Sequence, residues 1–207
     1  MNNQLVKQQS NLAQTTQQLG FDNPIVAQQA AKALAEVQGK IFMAKQFPRD
    51  IKLVQDKIQA SCERESLAKQ AEYEYVKGGT TVNGASIKLL ETIAQCYQNI
   101  HYTWKEISRD NVAHKSSCIA EAWDLENNVS STLEFEVSHY RDARGTRVLV
   151  TSERDLYELI ASNAARRVRK CLEGVVPRDL VDFARDVCNE TLTSKVDIQK
   201  GIENAVV

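Results

Sequence analysis

With 207 residues, 43% of them apolar, the chain can bury one sizeable core, and its formal net charge of −1 gives no whole-molecule attraction to nucleic acid, so any polyanion site must be a local patch. The five cysteines (Cys62, Cys96, Cys118, Cys171, Cys188) are odd in number and never in C-x-x-C spacing, which argues against a disulfide framework and a zinc ribbon and fits buried thiols. No apolar run approaches the roughly 18 residues that span a bilayer, and the start lacks the basic and apolar regions of a signal peptide, so a cytoplasmic protein with no membrane partner is expected.

Residues 1–22 are rich in Gln and Asn and poor in large apolar groups, which predicts a flexible tail. Asp22-Asn23-Pro24 is a helix start with proline at the first helical position, and the pattern continues to about Gln46, where Pro48 stops it. This helix is Ala- and Gln-rich with few bulky residues, which suits packing against another chain or a place on the surface. Asp50 caps a second helix running to about Gln70, with Ile51, Val54, Ile58 and Cys62 or Leu67 inward. Residues 72–77 (EYEYVK) alternate as a strand, and Gly78-Gly79 through Gly84 punctuate the chain. A third helix spans about Ala85 to Asn99, with Ile87, Leu90, Ile93, Ala94 and Tyr97 inward.

From Ile100 the apolar period changes from 3.6 to 2. Three strands are predicted, at 101–107, 112–125 and 130–140, with Asn127-Asn128 as a tight turn between the last two. A basic loop and short strand carry Arg141, Arg144 and Arg147. Ser152, with Asp155 three residues on, opens a long helix. Its predicted buried stripe is Tyr157, Ile160, Ala161, Ala164, Val168 and Cys171; Arg166, Arg169 and Lys170 fall on a face through Ser162, and Arg167 lies to one side. Pro177 starts a last helix to about Leu192, and residues 193–207 are expected to form a tail. Helices, then a meander of about three to five antiparallel strands, then a basic helix and one further helix make an α+β fold, with residues 23–192 as one domain for DNA binding and oligomerisation.

Catalytic constellations are scarce. The chain has no phosphate-binding glycine loop, no H-E-x-x-H and no nucleophile elbow. His101, His114 and His139 fall in predicted strands, where a lone histidine is usually structural. Glu121, Asp124, Glu134 and Glu136 sit on adjacent strands, so a metal-dependent nuclease is one alternative, although alternating glutamates on a solvent face explain them as well. What remains is a binding surface. Between Arg141 and Leu172 lie eight basic and four acidic residues. The candidate DNA-binding residues are Arg141, Arg144, Arg147, Arg166, Arg167, Arg169 and Lys170, with Lys77 and Lys105, and with Tyr102, Trp104 and Tyr140 as rings on which bases stack. Trp104 is equally a natural core residue, as is Trp123.

The Gly-containing turn leading into a helix (GGTTVNGASIKLLETIAQ), the β-meander and the Arg-rich helix ending in a small apolar run (NAARRVRKCLEGVVP) form an order of elements. That order resembles the phage and prophage single-strand annealing recombinases, the RecT, Red-beta and ERF group, over roughly residues 25 to 190. The resemblance implies a late basic helix lining a groove for the DNA backbone. It also implies ATP-independent annealing of complementary single strands in phage-type recombination, by a homo-oligomeric ring or helical filament in a bacterial host. Usual partners there are a phage exonuclease or a host single-strand binding protein. Annealing makes no bond, so neither catalytic residues nor cofactors are expected. The other alternative, from a different class, is an oligomeric scaffold whose arginines form subunit salt bridges.

Overall fold

The computed structural model describes residues 24–205 except Arg144, without the side chains of Lys77, Ala143 and 195–205. The expected Gln-rich tail, 1–22, lies outside the described residues. Two compact units divide the chain, Met1–Pro48 and Arg49–Val207. In the first, helix α1 (Pro24–Gln46) has the predicted bounds. Proline supplies the fixed φ of a first turn, and Pro48 prevents continuation. Ile25, Val26, Phe42 and Met43 are exposed on it.

The second unit opens with α2 (Ile51–Cys62), whose N-cap Asp50 accepts hydrogen bonds from the N–H groups of Lys52 and Leu53. Val54, Ile58 and Cys62, one turn apart, are buried. The predicted continuation to Gln70 breaks at Arg64, which is extended and begins a separate turn, α3 (Glu65–Ala68). Strands β1 (Glu72–Lys77) and β2 (Thr80–Ala85) form an antiparallel hairpin. Gly78 and Gly79 both have positive φ, 59° and 80°, the geometry a two-residue primed turn requires. Helix α4 (Ile87–Tyr97) follows, capped by Ser86, and buries Leu89, Leu90, Ile93, Ala94, Cys96 and Tyr97.

Strands β3 (Ile100–Asp110), β4 (Lys115–Asp124) and β5 (Val129–Ser138) form a meander of order β3-β4-β5, all antiparallel. Asn128 takes the left-handed conformation (φ 57°) at the predicted Asn-Asn turn. Burial alternates strictly along β4: Ser116, Cys118, Ala120, Ala122 and Asp124 are buried. A second short hairpin, β6 (Tyr140–Ala143) and β7 (Thr146–Leu149), carries the basic loop.

Helix α5 (Glu153–Val175) starts at Ser152, whose hydroxyl accepts from the Asp155 N–H, and lies on the inner face of the meander. Its buried row steps by four, Leu156, Ile160, Ala164, Val168 and Leu172, joined by Cys171 and Val175. Tyr157, predicted inward, is 56% exposed, because the row turns through Leu156 instead. The small Ala120 lets the helix approach closely enough for the Cys171 thiol to donate to its carbonyl at 3.5 Å. The last helix, α6 (Arg178–Ala205), continues beyond the predicted end near Leu192. It buries Leu180, Ala184 and Cys188 against the same core as α2, α4 and α5. The result is the expected α+β order. No helix among the described residues is long and apolar enough to cross a membrane.

Candidate nucleic-acid interface

Most strongly held cations of the second unit are spoken for. Arg49 meets Asp124 and Glu126, Arg109 meets Glu106 and Glu153, Arg185 meets Glu72, and Lys115 meets Glu136. Among the described residues of the predicted basic cluster, Lys170 is paired, with Glu173 at 3.1 Å. Arg141, Arg147, Arg166, Arg167 and Arg169 form no ion pair among the described residues. Three of them instead lie over aromatic rings: Arg147 at 4.9 Å from Tyr140, Arg167 at 5.5 Å from Phe135 and Arg169 at 4.0 Å from Tyr73. A ring face fixes a guanidinium without neutralising it, so the charge stays available to a polyanion. Arg147 also donates to the Ser138 hydroxyl at 2.9 Å.

Helical geometry spreads the α5 cations. One flank of the helix turns Arg167 to Phe135 on β5; the other turns Arg169 to Tyr73 on β1. Arg166 and Lys170 are exposed between them. The predicted single face through Arg166, Arg169 and Lys170 is therefore a broad outer surface with an arginine anchored at each edge. Arg141 and Arg147 stand on the β6–β7 hairpin, which leads directly into α5, and both are exposed. Arg144 and the Lys77 side chain lie outside the described residues.

Tyr102 and Trp104 alternate onto the inner face of β3, opposite Ala122 and Ala120. There, with Ile87, Glu91, Ala165 and Val168, they line a groove of about 350 Å³ between α4, β3 and α5. Burial, reinforced by the Glu91 carboxylate, pushes the Tyr102 phenol up, so it stays neutral and can both donate and accept. Trp104 also touches Tyr157, ring centroids 6.2 Å apart. Lys105, one residue on, points to the opposite face beside Ile119 and does not join this groove. Tyr140 meets His114 edge-on at 5.7 Å as well as Arg147.

The carboxylates of the nuclease alternative are divided by the same alternation. Asp124 is 1% exposed on the inner face, held by both terminal nitrogens of Arg49 and by the Asn127 side chain. Burial alone would raise it, but these bonds hold its carboxyl below the usual range. Glu121, Glu134 and Glu136 alternate onto the other face, and Glu136 is bonded to Lys115. Among the described residues, no group of three or more His, Cys, Asp or Glu is placed to hold a metal ion. His139 is buried and hydrogen-bonded to the Ser116 hydroxyl at 2.8 Å; burial, then the nearby Arg109, push its pKa down.

Sequence reasoning missed Tyr73, Gly84 and Arg49. Gly84 lies in a stretch that reads as a loop and becomes a strand glycine, which marks a close approach, only once β2 pairs with β1. A Cβ on Gly84 would stand 2.8 Å from the Tyr73 hydroxyl and 3.0 Å from its ring, so the missing side chain is what lets Tyr73 lie across the hairpin. No family model, curated protein or solved structure matches this chain.

Proposed function

We propose that this chain binds single-stranded DNA through its backbone phosphates and, as a homo-oligomer, anneals complementary strands without ATP, in the manner of the RecT, Red-beta and ERF group. The observation that carries this reading is the set of arginines on α5 and β6–β7 that have ring faces rather than carboxylates as neighbours. Arginines kept solely for stability in a chain with 27 acidic residues would pair with them, as Arg49, Arg109 and Arg185 do. Phosphate contacts position a strand without reading its sequence, which leaves the bases accessible to a complementary strand. A molecule of net charge −1 can bind this way because the field that matters is local. The exposed apolar residues of α1 supply a surface for self-association.

The test mixes two complementary oligonucleotides labelled for energy transfer with the protein, without nucleotide or metal. Duplex formation faster than the spontaneous rate supports annealing. A spontaneous rate, with no strand binding in a parallel titration, supports instead the scaffold reading, in which these arginines meet exposed carboxylates such as Glu134 on a neighbouring copy.

A further inference from the structure

The β1–β2 hairpin holds a juxtaposition that phosphate binding alone does not explain. The Arg169 guanidinium lies 4.0 Å from the Tyr73 ring centroid. The Tyr73 and Tyr75 rings are stacked, centroids 6.0 Å apart and planes within 20°. Both tyrosines stand on one face of β1, two residues apart, and Gly84 clears the space under Tyr73. Tyr75 is 49% exposed. The half-exposed Tyr75 ring, kept parallel to a second ring, therefore sets a flat aromatic surface one step from an arginine with no ion pair among the described residues. The Arg169 Nε is itself buried with no hydrogen-bond partner among the described residues, so this guanidinium is held chiefly by the ring, with its outer nitrogens left to reach a ligand.

We infer that Tyr75 is a base-stacking site: an unpaired nucleobase of a bound strand lies on its ring while Arg169 takes the adjoining phosphate. This rests on the single-strand reading above and specifies the part of the strand that the hairpin holds. Stacking suits a sequence-tolerant protein, because every base has a π-face. It also requires an unpaired base, so a site built on Tyr75 discriminates single strands from duplex, which arginines on phosphates do not. The occupant is a nucleobase rather than a side chain of another protein because the ring sits beside an unneutralised cation, a combination matched by the alternating base and phosphate of a strand.

The experiment uses the full chain, a fluorescent thymine oligonucleotide and the same oligonucleotide with abasic positions throughout its centre. Stacking on an aromatic is worth about 1–3 kcal/mol per base, so Tyr75→Ala is expected to weaken binding to the base-bearing strand about five- to 150-fold. Tyr75→Phe, which keeps the ring, should bind as the parent does. On the abasic strand the parent should already have lost that factor, and Tyr75→Ala should lose nothing more. As a readout on the unaltered protein, a 2-aminopurine within the strand should be quenched on binding. Equal loss on both strands, or no loss on either, overturns the stacking site while leaving strand binding intact. A fall in oligomer mass for Tyr75→Ala with unchanged strand affinity also overturns it, assigning the ring to a protein contact. Failure of the parent to bind either strand sinks the single-strand reading itself, and this site with it.

Discussion

Replacing Arg49 by alanine isolates one buried charge. Arg49 donates to both Asp124 oxygens, lies 3.8 Å over the Tyr97 ring and comes within 3.0 Å of Glu126. Both side chains of the Arg49–Asp124 pair are almost wholly shielded, at 3% and 2%. Breaking a buried pair by removing one partner costs about 3–5 kcal/mol, because the remaining charge is left uncompensated. Asp124 would keep the Asn127 side chain and the N–H groups of Glu126 and Asn127, so the lower end, about 3 kcal/mol, is expected. For a chain of this size that is a melting shift of roughly 6–12 °C. The pH dependence follows from the sign of the shift. Asp124 is held below its ordinary value in the parent, so its contribution is present at neutral pH and fades as pH falls through the folded value. Without Arg49 the carboxyl loses a bond that holds it down while burial still raises it, so its value rises and acid penalises the variant less than the parent. Urea titrations of parent and variant at pH 7 and pH 4 are the assay. The gap should be about 3 kcal/mol at pH 7 and clearly smaller at pH 4. A gap below about 1 kcal/mol at pH 7, or one that does not narrow in acid, would refute the reasoning.

Other expectations follow from the same geometry. Gly84→Ala forces the Tyr73 ring, a movable side chain, to swing aside; single-strand affinity should fall while the melting temperature moves by only a few degrees, as a titration and a thermal melt would show. Ile93→Ala, at a fully buried position of α4, should cost about 2–5 kcal/mol in urea unfolding. His139, buried neutral with its pKa pushed down, makes stability fall as pH drops below the ordinary histidine range; His139→Gln should flatten the melting temperature between pH 7 and pH 5. Removing residues 1–46 takes away the exposed Phe42 and Met43 of α1 and should collapse the oligomer to a smaller mass in light scattering, an unchanged mass counting against α1 as a subunit contact.

Local signals in the chain were strong where one residue type dictates backbone geometry. Pro24 and Pro48 bracket α1, Asp50, Ser86 and Ser152 cap their helices, and alternation marks β4 throughout and β5 over its centre. The signals failed where pairing decides. Residues 80–85 contain Asn83 and Gly84 and resemble a loop alone; they become β2 only because β1 offers a ladder across the Gly78-Gly79 turn. The break at Arg64 has no proline or glycine to announce it; it lets Ala68 and Ala71 turn into the core. For the site, composition located the arginines, but their ring partners, Phe135 and Tyr73, come from distant strands. Only the packing of α5 between them determines which arginines are anchored and which stand free. Period 2 puts Lys105 on the face opposite Trp104.

The central claim, that guanidinium groups on α5 and β6–β7 hold single-stranded phosphates, is tested most directly by the salt dependence of oligonucleotide binding. Arg141, Arg147, Arg166, Arg167 and Arg169, at roughly 0.7 per contact, give a slope of about −3.5 in log affinity against log salt for each subunit engaged. Replacing Arg166 and Arg169 together by alanine should reduce that magnitude by about 1.4 and weaken binding on every sequence alike. A parent slope near zero, or a slope unchanged in the double variant, would contradict the account.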